Sequence, residues 1–121
     1  LTGLWTAWYL HQADPRLQIV VVEREIAGFG ASGRNGGWCS ALFPRSAASV
    51  AREHGRDAAL ALRAAMRDTV DEVGRAASEA GVDCDFVKGG TVLYARSAVQ
   101  ERAARDEVAA SAEWGDEMTW R

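Results

Sequence analysis

Residues 3–13, GLWTAWYLHQA, carry apolar side chains on nearly every face and no proline, the pattern of a helix buried on more than one side. Asp14-Pro15 ends it, because the residue before a proline is pushed out of the helical region. The next apolar run, LQIVVVE at 17–23, is β-branched without polar alternation, which predicts a parallel strand covered by helices on both faces. From Arg24 to Pro44 the periodic signal disappears and glycine dominates. That stretch still holds Ile26, Phe29, Trp38, Leu42 and Phe43, so it reads as a long ordered loop rather than a solvated linker.

Helical periodicity returns with a short helix at 46–54 and a longer one from about 57 to 80. In the longer helix Ala59, Leu62, Met66, Val70, Val73, Ala77 and Ala80 form an apolar stripe, and Gly81 supplies the stop. Its charges, Arg63, Arg67, Asp71, Glu72, Arg75 and Glu79, fall mostly off the stripe and read as a solvated face. CDFVKGGTVLYARS, at 84–97, is either two strands joined by a Gly89-Gly90 turn or one strand kinked there. An amphipathic helix at 98–114 follows, with Val99, Ala103, Val108 and Ala112 as its apolar positions. The chain therefore divides into 1–45, 46–82 and 83–121.

Bulk properties narrow the function classes. At 121 residues the chain has room for one ordinary domain. Fourteen Lys and Arg against 17 Asp and Glu give a net charge of -3 with no basic face, which argues against a nucleic-acid partner. No apolar run approaches the roughly 20 residues needed to span a bilayer, so no membrane segment is expected. Cys39 and Cys84 are too few for a disulfide framework or a zinc site, no metal is expected, and the cytoplasm is the expected compartment. The sequence opens on Leu1-Thr2-Gly3, inside what already reads as structure, and is expected to be part of a longer protein.

Candidate chemistry starts with Gly3 and Glu23. In a dinucleotide-binding βαβ unit the third glycine of G-x-G-x-x-G lets the helix approach the sheet, and an acid about 20 residues later takes the ribose hydroxyls. Gly3 and Glu23 have that spacing, with the first two glycines and their strand falling before Leu1. The spacing alone fits a nicotinamide-binding dehydrogenase equally well. Glu23 can instead be a capping or surface acid, and Arg24 can face either an adenine or solvent.

The stretches TGLWTAWYL, AGFGASGRNGGWCSALFP and VKGGTVLYARS, with the run ending in Glu23, carry a resemblance. The sequence resembles the flavin-dependent amine and amino-acid oxidases of the D-amino-acid oxidase and glycine oxidase type, in the branch that includes γ-glutamylputrescine oxidases. GFGASGRNGG is the specific part, and the helical middle is generic. The resemblance implies an α/β fold: an incomplete Rossmann-like FAD-binding domain, a helical segment, and the start of a β-containing substrate region. It implies FAD as cofactor and oxidation of a small amine or amino acid by hydride transfer to the flavin, with the substrate-binding residues mostly beyond Arg121, so that no catalytic residue is named here. Backbone N–H groups can approach a pyrophosphate or ribityl chain only where side chains are small, so Gly30, Ala31, Ser32, Gly33, Gly36 and Gly37 are the expected cradle. Ser32 and Asn35 can hydrogen-bond phosphate or ribityl hydroxyls, and Arg34 can offset phosphate charge or pair with a carboxylate. The competing reading of the loop is a tight corner with Arg34 bound to a surface acid.

Other residues receive no chemical role. Cys39 reads as a small core residue, Trp38, Trp5, Trp8 and Tyr9 as packing groups, and His11 and His54 as helix-surface histidines. A second class of function is non-catalytic: an α/β piece that associates with itself through the exposed sheet edge at 17–23.

Overall fold

The computed structural model describes residues 1–121, and every regular element in it is helical. Four α-helices form: α1 (Thr2–Ala13), α2 (Ala47–His54), α3 (Arg56–Glu79) and α4 (Ala98–Ser111). Short 3-10 turns occupy Ala31–Arg34 and Ala112–Trp114. The chain separates into two compact units, Leu1–Trp38 and Cys39–Arg121.

In the first unit α1 ends at Asp14, whose backbone swings to φ -146. The Asp14 carboxylate receives the Arg16 guanidinium at 2.8 and 3.0 Å and the Arg16 N–H at 3.1 Å. These hydrogen bonds, the side-chain ones foremost, hold the Asp14 carboxyl below the usual carboxylate range. No residue of α1 is buried, which corrects the expectation of a helix covered on more than one side. Trp5 and Tyr9 instead stack on each other along its open face, ring centroids 5.8 Å apart.

The α/β expectation fails. Residues 17–23 form no strand, and Val20 and Val22 stand 83% and 87% exposed. The segment 84–97 likewise forms neither of the predicted strand arrangements, with Val87 and Tyr94 open to solvent. The physical reason is that a strand is completed by its neighbour's N–H and C=O groups. Both runs have strand-like composition, but neither has a partner alongside among these residues, so no sheet and no Rossmann-like layer arises.

The second unit is built around α3. Ser46 caps α2 by accepting the Ser49 N–H at 3.2 Å, and Ala47 and Val50 bury the inner side of that helix. Gly55, at φ +90, is at once the last cap of α2 and the first of α3, so the two helices meet at a one-residue corner and pack together. Along α3 only Ala59 and Ala76 are fully buried. Leu62, Met66, Val70, Val73 and Ala77 of the predicted stripe are half-buried, and Ala80 is exposed. Gly81 closes the helix as expected, with the Val82 N–H reaching back to the Ala77 carbonyl at 2.9 Å.

Ser97 caps α4 by accepting the Gln100 N–H at 3.2 Å, while the Gln100 amide oxygen takes the Arg96 N–H at 2.8 Å. The covered side of α4 carries Ala104, Val108 and Ser111 rather than the predicted Val99, Ala103, Val108 and Ala112. Val99 is 79% exposed. What α4 covers is narrow: it meets the turn at Ala112–Trp114, which in turn lies on α3. Part of the predicted solvated face of α3 is also engaged. Arg63 and Arg67 both grip the Asp116 carboxylate, Arg56 reaches the Glu113 carboxylate at 3.1 Å and lies over the Trp114 ring, and Asp71 pairs with Lys88.

Candidate functional site

The glycine-rich loop lies mainly within the first unit, and its shape follows from one close approach. An added Cβ at Gly33 would fall 1.8 Å from the carbonyl oxygen of Gly28 and 2.8 Å from its Cα. No side chain fits in that space, so the chain can cross itself there only with glycine at 33. Around the crossing, the Phe29 N–H donates to the Ile26 carbonyl at 3.0 Å and the Gly33 N–H to the Gly30 carbonyl at 3.3 Å. Gly30 therefore opens, and Asn35 closes, the 3-10 turn at Ala31–Arg34.

The polar groups of this turn remain largely uncommitted. Arg34 has no carboxylate partner, contrary to the corner-turn reading, and its guanidinium instead lies 5.5 Å from the centroid of the Phe29 ring. The side chains of Ser32 and Asn35 make no hydrogen bond within the chain. Gly36 and Gly37 have open space where a Cβ would be, and every residue from Gly28 to Trp38 is exposed. Gly28 and Phe29, within the GFGASGRNGG stretch but outside the expected cradle, complete this turn. The spacing Gly28, Gly30, Gly33 was the available signal.

The remaining predicted positions lie outside residues 28–37. Glu23 accepts the Glu25 N–H at 3.1 Å through one carboxylate oxygen, and Arg24 faces Glu25 at 3.3 Å. Gly3 lies in the first turn of α1, with nothing within 4 Å of the position a Cβ would take. No sheet stands against it for the expected close helix packing. Cys39 is exposed, which corrects its assignment to the core, and Trp38, expected as a packing group, is exposed too. His11 and His54 are exposed, His54 lying 3.4 Å from the Glu53 carboxylate. No group of three His, Cys, Asp or Glu residues is placed to hold a metal ion, and no helix is long and apolar enough to cross a membrane.

The donor set can be tested against a dinucleotide cofactor. A pyrophosphate and polyol need exposed backbone N–H groups, hydroxyl and amide partners, and a cation, close together on side-chain-poor chain. The turn at 28–37 offers each of these on open surface, and the residues present fit.

Comparison with known proteins gives the same direction. Residues 1–120 match the DAO family, described as FAD dependent oxidoreductase. Gamma-glutamylputrescine oxidoreductase of Escherichia coli (strain K12) is 35% identical over 89 residues, 74% of this chain and 20% of that protein. The probable oxidoreductase OrdL of Haemophilus influenzae (strain ATCC 51907 / DSM 11121 / KW20 / Rd) is 31% identical over 97 residues, 80% of this chain and 22% of that protein. The chain thus spans about a fifth of the length of these relatives. No solved structure matches it. With the family match running from the first residue almost to the last, and a glycine turn chemically suited to the cofactor, this chain belongs to the FAD dependent oxidoreductases.

Proposed function

We propose that these residues form the nucleotide-side part of an oxidoreductase that oxidises a primary or secondary amine, or an amino acid, at the carbon bearing nitrogen. The observation that carries this reading is the Gly28–Gly33 crossing, which exposes a bare turn with Ser32, Arg34 and Asn35 uncommitted around it. Backbone N–H groups of Gly30, Ala31, Ser32, Gly33, Gly36 and Gly37 would hold the pyrophosphate and ribityl chain, and Arg34 would balance phosphate charge. Glu23 would accept ribose hydroxyls through the oxygen that does not bind the Glu25 N–H, with Arg24 beside it at the adenine end. Gly3, at the start of α1, would leave room for the same nucleotide. Bound FAD supplies the two-electron acceptor for the oxidation.

The amine class is supported by the name of the Escherichia coli relative, an oxidoreductase of gamma-glutamylputrescine. Two free thiols, Cys39 and Cys84, support a reducing compartment such as the cytoplasm. The test is direct: the complete protein is expected to purify yellow, and its flavin absorbance to bleach on anaerobic mixing with a primary amine or amino acid. A colourless protein that takes up a nicotinamide dinucleotide instead overturns the reading.

The open β-branched run at 17–23 favours a second behaviour of this 121-residue chain by itself, pairing between copies. Sedimentation is expected to show concentration-dependent association that Val20→Lys with Val22→Lys reduces. A chain that stays monomeric at all concentrations removes this second behaviour.

A further inference from the structure

Gly74 stands in the interior of α3, where glycine is the poorest helix former after proline. A Cβ there would lie 2.5 Å from Cε1 and 2.9 Å from Cδ1 of Phe86, so the ring fills the notch that the absent side chain leaves. Asp71, three residues earlier on the same helical side, holds the Lys88 ammonium. The segment is turned back for these contacts by Gly81 and by Asp85, the only residue other than glycine with positive φ, at 51. An aspartate accepts that conformation more readily than most residues, but at some cost. Three features that each run against local preference thus coincide over a few residues: a mid-helix glycine, a left-handed aspartate and an aromatic ring laid on backbone.

We propose that Gly74 and Phe86, supported by the Asp71–Lys88 pair, form a register lock that fixes residues 82–88 on α3. The lock sets the point at which the glycine pair at 89–90 and the apolar run at 91–94 leave the helix. It stands independently of the FAD reading.

The test uses the full chain and a double-mutant cycle. Gly74→Ala, which stabilises an unobstructed helix, is expected to lower the thermal midpoint because the methyl group displaces the ring. In the Phe86→Ala background the same substitution is expected to raise it. The Hα protons of Gly74 are expected well upfield of ordinary helical glycine in the unmodified chain, through the ring current of Phe86, and to return in Phe86→Ala. That measurement holds even where a variant fails to fold. Gly74→Ala shifting the midpoint in the same direction in both backgrounds overturns the lock, and so does an ordinary Hα shift.

Discussion

A single carbonyl makes Gly33 of the loop irreplaceable. Gly33→Ala forces the chain crossing open because its new methyl group meets the Gly28 oxygen, whereas Gly36→Ala meets nothing. In the complete protein the first substitution is expected to abolish FAD retention and the second to leave most of it, read from flavin absorbance after gel filtration. Glu23→Ala is expected to weaken retention by about 1.5–3 kcal/mol, the worth of a hydrogen bond to a charged group, through lost ribose contacts. Unchanged retention would show that Glu23 is not the ribose ligand. The bareness of this stretch was legible in the sequence. The identity of the glycine that cannot change was not, because it depends on where the backbone returns.

Local rules carried furthest in the helices. The 3.6-residue period and the Gly81 stop located α2 and α3 to within a residue and the start of α4, since those signals act through neighbours on the same turn, whereas α4 ends at Ser111 and the predicted stretch to 114 continues as a 3-10 turn. Ser46 and Ser97 cap α2 and α4, and replacing either with Ala is expected to cost about 0.5–2 kcal/mol, measured by urea unfolding of the chain. The helix faces were harder to read: Val99 lies open and Ser111 is buried, because the cover of α4 is confined to its second half, after which the turn at Ala112–Trp114 follows directly and lies on α3. The strand-like runs at 17–23 and 84–97 misled for the opposite reason. Their composition reports a preference, and pairing requires a second segment that composition does not name.

At the scale of the whole chain, charge placement makes the second unit sensitive to acid. Glu53 has its carboxyl pulled below the usual range by the hydrogen bond from Arg45, then by the charge of Arg45 and by His54. A carboxyl depressed in the folded state adds stability above its unfolded pKa and loses that stability as pH falls through the folded value. Helicity of α2, followed by amide exchange, is therefore expected to fall on acidification below the ordinary carboxylate range. Glu53→Gln is expected to flatten that dependence. Arg75, raised further by its hydrogen bonds to Glu72 and Glu79, does not itself titrate in this range. The sharp corner between α2 and α3 adds a constraint of another kind. At φ +90 and ψ 159, Gly55 occupies a region closed to L-residues yet surrounded by open space. The position is thus chiral in the inverted sense: a chemically synthesised chain bearing D-alanine there should melt higher than the natural one, and its L-alanine epimer lower.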